Sequence, residues 1–273
     1  MEKVWTFDEL CEDLRTSCGI RAGQTLIVHS SAQAIGRVEG SVVTLVRMLK
    51  SVVSEEGTLL LPVFSSPRAD GIFKIRRTPS RVGLITEAFR RSEGVKRSMH
   101  PTHSVAAWGK RRDEFLAGHE KTSGLGVNSP FHKAAEAGAD IIMIGCHLTT
   151  CSLVHVSEAI ARTPYLGKVS YGGYEKPLTL IDYEGKEHVV PPVDNPGDSA
   201  NFTAVQDELE RRGLIHHCKV GEADTLKFDA MDCLNVAVEL VRADPAALLC
   251  SNPRCSVCPA SHKLVEEWKK ANA

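Results

Sequence analysis

The hydrophobic pattern up to Arg162 alternates short, continuous apolar runs with longer amphipathic segments. Short apolar runs are typical of buried strands, which we predict at 25–29, 58–63, 104–108 and around Ile141. The segments between them predict helices at 7–17, 41–53, 83–91, 131–137 and 152–162. This β-α-β alternation predicts an α/β fold with a central mixed, partly parallel sheet flanked by helices.

The pattern changes in the C-terminal half of the chain. Apolar alternation on both sides of Glu184-Gly185 predicts a β-hairpin, and a second antiparallel pair follows further on. We assign these strands to a small antiparallel β appendage on a single domain that spans residues 1–273. The predicted strands are 178–183, 186–190, 215–220 and 225–228, and the predicted helices are 202–212, 231–242 and 260–271.

The first predicted helix carries signals for both of its ends. Thr6-Phe7-Asp8-Glu9 has the form of a capping box, in which Thr6 and Glu9 each bond the other's backbone N–H. Gly19 is typical of the residue that ends a helix.

Composition and charge exclude several classes of partner. Hydrophobic residues make up 42% of the 273 positions and charged residues 25%, the proportions of an ordinary soluble globular protein. The formal net charge of −1 gives no indication of a nucleic-acid or membrane partner. Because the N-terminus lacks the apolar core of a signal peptide, we expect a cytoplasmic protein. We expect it to be a monomer or a homodimer.

His155 and Glu158 are the strongest candidates for catalysis. They lie three residues apart at the start of a predicted helix, whose first turn Ser152 would cap. The positive end of the helix dipole disfavours a charged imidazole, which would leave His155 able to accept a proton. The alternative is an ordinary surface pair or a core histidine with structural hydrogen bonds.

Two further segments carry groups that suit a phosphorylated ligand. Ser30 and Ser31 end an apolar strand, and Gly36 follows, which is one way to build a phosphate-binding turn. The basic segment 76–81 and the histidine-rich segment 100–104 add donors. No dinucleotide or Walker A glycine pattern is present. The alternative is that these are structural turns and a solvated basic loop.

The nine cysteines are scattered along the chain and do not indicate a disulfide framework. We interpret Cys11, Cys18, Cys218 and Cys233 as small apolar residues or unreactive thiols.

A second group of cysteines has a different character. Cys250, Cys255, Cys258 and His262 place four potential zinc ligands within thirteen residues, although the spacing is not that of a common zinc finger. The alternative to a structural zinc site is a cysteine-rich tail that leads into the last helix.

Several segments, in the same order along the chain, together resemble the aminoglycoside N(3)-acetyltransferase family. The resemblance covers nearly the whole chain and is specific as a combination. Its segments are 26–31 with Gly36, 78–83, 100–104, 128–131, 144–145, the pair His155-x-x-Glu158, 202–209 and 244–250.

The resemblance implies transfer of an acetyl group from acetyl-coenzyme A to an amine, in this family the 3-amino group of a 2-deoxystreptamine aminoglycoside. His155 would be the general base, and Glu158 would orient it or bind the acceptor with help from Asp194 or Asp198. No catalytic metal is expected. The residues that would bind the coenzyme are Ser30, Ser31, Gly36, Thr78, Ser80, Arg81, Val82, His103, Ser104, Val105 and Ser129.

The chain departs from the family pattern in two places. Many members carry a long acidic insertion after the strand that here ends at Val63, whereas this chain has a short loop with Arg68 and Lys74 against Asp70. Residues 148–152 lack the acid and the amide that the family often has there. Both changes concern the acceptor, because a polycationic aminoglycoside favours carboxylates.

Three alternatives therefore remain open. One is acetylation of an amine that is not an aminoglycoside, and another is a catalytically idle binder of small molecules. The third is a metal-dependent hydrolase with His100, His103, His155 and Glu158 as ligands and a metal-bound water as nucleophile.

Overall fold

The computed structural model of the chain describes residues 3–66, 70–169, 176–190 and 197–272. Its strands are β1 (Val4–Trp5), β2 (Thr25–Ser30), β3 (Arg37–Val38), β4 (Thr58–Pro62), β5 (Ile72–Lys74), β6 (Lys96–Arg97), β7 (Val105–Gly109), β8 (Asp140–Ile144), β9 (Leu178–Ile181), β10 (Glu187–Val190), β11 (His216–Val220) and β12 (Ala223–Asp229). Its α-helices are α1 (Phe7–Glu12), α2 (Val42–Val53), α3 (Leu84–Arg91), α4 (Arg112–Leu116), α5 (Pro130–Glu136), α6 (Val154–Ala161), α7 (Thr203–Arg211), α8 (Ala230–Ala243) and α9 (Cys258–Ala271). Within the described ranges, each helix is too short or too polar to cross a membrane.

The main sheet has the strand order β11-β12-β8-β2-β4-β7-β6. β2 lies at its centre and pairs in parallel with both β8 and β4. β7 joins β4, and β12 joins β8, in antiparallel pairs. The sheet is therefore mixed with a parallel centre, which confirms the predicted fold class.

Each central strand contributes to two hydrophobic cores, one on each face of the sheet. In β2, Ile27 packs into one core, whereas Leu26 and Val28 pack into the other. Met143 and Ile142 of β8 divide in the same way. Both faces are covered by helices, with α1, α2 and α3 on one side and α5, α6, α7 and α8 on the other. A strand buried on both faces shows a continuous apolar run, which explains the sequence pattern.

The small sheet differs in one detail from the predicted appendage. The hairpin of β9 and β10 forms as predicted, and β5 from the N-terminal half pairs in parallel with β9 to complete a three-stranded sheet. The second antiparallel pair, β11 and β12, extends the main sheet instead, because β12 bonds β8 along most of its length.

Local signals place some helix ends correctly and others not. Thr6 N donates to Glu9 Oε2 at 2.9 Å and Glu9 N to Thr6 Oγ1 at 3.3 Å, so the capping box is present. The predicted cap at Ser152 is wrong, because α6 begins two residues later and Leu153 occupies the cap position without a side-chain bond. Ser152 is instead buried and lines the cavity that is described below.

Cys18 and Cys218 form a disulfide, with Cα atoms 5.3 Å apart, so their interpretation as unreactive thiols is wrong. Their separation of 200 residues hides the pairing from the sequence. β11 runs beside the π-helical turn that follows α1, and Lys219 N donates to Ser17 Oγ at 3.1 Å there. The two cysteines meet because the sheet edge brings these segments together.

The disulfide predicts the thiol count of the purified protein. Seven of the nine cysteines are free, so protein denatured without reductant should titrate as seven thiols and as nine after reduction. Cys218→Ser should lower the melting temperature without reductant, because a crosslink that closes so long a loop stabilises by about 2–5 kcal/mol. The difference from the wild type should vanish in reductant, and nine thiols in the unreduced wild type would contradict the pairing.

Candidate active site

A cavity of about 590 Å³ opens at the carboxyl edge of the parallel strands. Ser30 ends β2, Pro62 ends β4 and Cys146 follows β8, and all three line it. The carboxyl ends of adjacent parallel strands meet at one edge, where α/β sheets usually bind ligands. The lining residues are His29, Ser30, Pro62, Phe64, Arg81, Val82, Thr86, His103, Leu125, Cys146, Thr149, Thr150, Cys151, Ser152, His155, Gly197, Ser199 and Phe202.

His155 lines this cavity from the first turn of α6. Its Nδ1 lies 2.7 Å from Glu158 Oε2, one turn along the same helix. The carboxylate can only accept, so Nδ1 carries the hydrogen and Nε2 of a neutral ring is left as an acceptor. The ring edge of Phe202 packs against the imidazole, with centroids 4.7 Å apart. Such an arrangement can act chemically as a base and a carboxylate that orients it.

Three donors hold the Glu158 carboxylate, which is fully buried. Besides His155, Tyr165 Oη donates to Oε1 at 2.8 Å and Gly197 N donates to Oε2 at 3.4 Å. Burial, and then the neighbouring Glu158 carboxylate, raise the pKa of Tyr165, so the phenol stays protonated and remains a donor. A Cβ at residue 197 would collide with Glu158, which explains the glycine.

The other histidines around the cavity are neutral at pH 7. Burial lowers the pKa of His29 to about 4. Burial, with smaller effects of His155 and His119, lowers the pKa of His103 to about 3. His119 is fixed by Ser98 and by the Gly124 carbonyl. This part of the wall is polar but uncharged.

One side of the cavity is formed by the segment that departs from the family pattern. Thr149, Thr150, Cys151 and Ser152 all line the cavity, between β8 and α6. Among the described residues that line it, none is acidic, and Arg81 is the one with a permanent charge.

The proposed hydrolase ligands do not form a metal site. Among the described residues, His100, His103, His155 and Glu158 are not brought together as a group of possible ligands. His100 Nδ1 accepts the His103 backbone N–H at 3.0 Å, and its ring stacks on His119. His155 Nδ1, the nitrogen on the side of Glu158, is hydrogen-bonded to the Glu158 carboxylate. The two groups therefore bind each other in the place where a shared metal would lie between them.

The structure divides the predicted coenzyme residues into two groups. Ser30, Arg81, Val82 and His103 line the cavity. The others lie outside its lining, and these are Ser31, Gly36, Thr78, Ser80, Ser104, Val105 and Ser129.

Some members of the second group have evident structural bonds. Ser104 Oγ donates to the Val63 carbonyl, and Ser80 Oγ lies 3.1 Å from Thr86 Oγ1. Gly36 has a φ of 88°, and the Glu222 carboxylate fills the space where a side chain would be. These residues shape the turns behind the cavity wall.

Arg97 connects several of these turns and was missed by sequence reasoning. It is buried, and its guanidinium donates to the Thr78 and Val63 carbonyls and to Ser104 Oγ at 2.5–2.7 Å. Burial, followed by the nearby Arg90, lowers its pKa to about 9, so it remains charged at pH 7. Its position in a two-residue strand gives no sequence signal.

Of the predicted acceptor acids, Asp198 is described by the structure and does not line the cavity. Asp194 lies outside the described residues. Asp198 is placed beside Cys250, Cys255 and Cys258, although its neighbours Gly197 and Ser199 line the cavity. The role of Tyr165 as a donor to Glu158 was also not predicted. Its separation of only seven residues from Glu158 along the chain is the one indication of this contact that the sequence contains.

The chain is similar to known proteins over most of its length. Residues 27–242 match the family described as Aminoglycoside 3-N-acetyltransferase. The aminoglycoside N(3)-acetyltransferase III of Acinetobacter baumannii is 30% identical over 250 residues, which are 81% of this chain and 86% of that protein.

Two solved structures share the fold. A mutant of the aminoglycoside acetyltransferase AAC(3)-IVa in complex with apramycin has a TM-score of 0.79 and 23% identity, over 94% of this chain and 100% of that one. AAC-IIIb in a binary complex with CoASH has a TM-score of 0.73 and 22% identity, over 88% and 97% of the chains. With its family pattern matched over most of its length, this chain belongs to the aminoglycoside 3-N-acetyltransferase family.

Proposed function

We propose that this protein transfers the acetyl group of acetyl-coenzyme A to an amine of an aminoglycoside, with His155 as general base. The observation that carries the proposal is the buried His155–Glu158 pair at the wall of the cavity, in a chain of this family. Family members act on the 3-amino group, and we propose the same position here.

The proposed chemistry needs no residue beyond this pair for proton transfer. An amine is mostly protonated at pH 7, so it first loses one proton to solvent, and the neutral amine then attacks the thioester carbonyl and gives up a second proton as it does so. His155 Nε2 accepts that proton, the new C–N bond forms, and the C–S bond breaks. The departing thiolate then takes the proton from His155. Glu158 stabilises the transient imidazolium through Nδ1.

The coenzyme side of the proposal is supported by the wall that holds Ser30, Arg81, Val82 and His103. Arg81 offers positive charge to phosphate, while Ser30 and neutral His103 offer hydrogen bonds. The related AAC-IIIb binds CoASH, which agrees with this assignment. The proposed compartment is the cytoplasm, which holds acetyl-coenzyme A.

We assign the acceptor to the side of the cavity that residues 149–152 line, and the character of this side supports the proposal of a narrow range of aminoglycosides. A multiply charged substrate gains encounter rate and affinity from carboxylates, and no described lining residue supplies one. Arg68 lies outside the described residues. Asp70 Oδ1 accepts the Ile72 N–H within the short loop.

The base assignment is tested by His155→Ala. Turnover should fall by about 10²–10⁴-fold, the usual scale for loss of a general base, while coenzyme A binding persists. Glu158→Gln should also lower turnover, because a neutral amide stabilises the imidazolium less. His217→Ala is the matched control, since His217 forms a pair with Glu210 at an exposed site. Near-normal turnover of folded His155→Ala would remove this residue from the mechanism.

The coenzyme assignment is tested by calorimetry with coenzyme A. Arg81→Ala should weaken coenzyme A binding by about 5- to 20-fold, the loss of one charged hydrogen bond to phosphate. Arg77→Ala is the control, because Arg77 is exposed in the same segment but does not line the cavity. Equal effects of the two substitutions would mean that only general positive charge matters.

Acceptor range is tested by thiol release across several 2-deoxystreptamine antibiotics. We expect efficient turnover of few of them, because the described wall lacks acidic groups. Thr149→Asp should lower KM for multiply charged acceptors several-fold, and Thr149→Asn separates charge from size. Broad, efficient turnover by the wild type would show that other residues supply the acidic surface.

A further inference from the structure

We propose that Asp198, Cys250, Cys255 and Cys258 bind a structural zinc ion. One ligand atom from each residue lies within 4.8 Å of all the others. Three cysteine sulfurs and a carboxylate form a donor set that suits zinc, and soft thiolates disfavour magnesium and calcium. All four positions are protein ligands, so the ion would be structural and not catalytic.

The spacing of these atoms is close to that of a tetrahedral site. With Zn–S bonds of about 2.3 Å, tetrahedral ligand atoms lie about 3.8 Å apart. The ligand atoms therefore need to approach one another by no more than about 1 Å to close around an ion. Movements of this size are available to side-chain rotations.

Backbone N–H groups of the segment donate to two of the three sulfurs and so orient them. Cys250 N donates to Cys258 Sγ at 3.3 Å, and Cys258 N donates to Cys255 Sγ at 3.4 Å. Cys258 is also the first residue of α9, a 14-residue helix, so its backbone position is fixed by regular structure.

The fourth ligand differs from the one that the sequence suggested. His262 Nε2 donates to the Cys250 carbonyl at 3.1 Å and lies outside the group. Asp198 takes its place from a loop that is far away along the chain. Its Oδ1 accepts the Ala200 N–H at 2.8 Å, which orients the carboxylate. His262 instead supports the backbone of a ligand, as groups around metal sites commonly do.

The ion would fasten the loop that supports Glu158. Asp198 directly follows Gly197, whose N–H bonds the Glu158 carboxylate. Tyr165, the other donor to Glu158, packs in the same small core as Cys258. Zinc would therefore hold both supports of Glu158 against the C-terminal segment. This coupling to turnover rests on the proposed function, whereas metal binding does not.

Metal content of the full-length protein tests the site directly. Protein purified without added metal should contain one zinc ion per chain by elemental analysis. Cobalt added to the chelated protein should give the intense visible absorption of a tetrahedral thiolate site. Zinc-free protein that takes up neither zinc nor cobalt would overturn the proposal, as would a disulfide among the three cysteines in freshly purified, metal-free protein.

Variants identify the ligands. Cys255→Ser and Asp198→Asn should each lower zinc affinity at least about tenfold, whereas Cys11→Ser, in the other half of the fold, should retain the full zinc content. His262→Gln should retain zinc as well. If His262→Gln loses as much zinc as Cys255→Ser does, the proposed set of ligands is overturned. If Cys255→Ser does not fold, chelation of the wild type supplies the same comparison. The melting temperature should then fall and recover with zinc.

Activity separates the coupling from the binding. Chelated protein should lose turnover several-fold and retain coenzyme A binding, because Arg81 and His103 lie on other segments. If the protein binds zinc but turnover does not change when the zinc is removed, the proposed support of Glu158 by the ion is overturned, whereas the metal site itself stands. If folded protein with bound zinc transfers acetyl to no aminoglycoside, the proposed function is overturned and the metal site is not.

Discussion

The arrangement of the site depends on one buried carboxylate. Glu158 is removed from water, and a buried charge costs several kcal/mol unless donors surround it. Its donors come from α6, from Tyr165 and from the loop at Gly197. These segments must fold together before the carboxylate is satisfied. The bond that fixes the tautomer of His155 therefore depends on segments that extend from α6 to the loop at Gly197.

The cavity wall follows a second constraint, which is the near absence of charge. Burial keeps His29 and His103 neutral, and the described wall carries no acid. The buried cation, Arg97, is satisfied by two carbonyls and a hydroxyl behind the wall. This polar but weakly charged surface suits a neutral imidazole base better than it suits the capture of a polycation. The coenzyme side and the acceptor side of the proposed reaction therefore have different electrostatic character.

Much of the fold could be predicted because its signals are local. The central strands are buried on both faces, so their apolar runs are continuous, and the capping box at Thr6 and Glu9 uses groups three residues apart. Local signals could not predict which sheet β11 and β12 join. A hairpin can join a large sheet or form its own, and the choice depends on which edge is free. The pairing of β12 with β8 is a contact between distant segments.

The sequence by itself determined the α/β class, the family, and the pair His155 and Glu158, because helical spacing alone puts residues three apart on one face. Tertiary structure decided what surrounds that pair. Tyr165 and Gly197 reach Glu158, Cys218 reaches Cys18, and Asp198 replaces His262 beside three cysteines. Apart from Tyr165, which lies seven residues from Glu158, each of these contacts joins segments whose separation along the chain says nothing about their distance in space. Only the packing of the sheet edges and loops brings them together, and burial then fixes their chemistry.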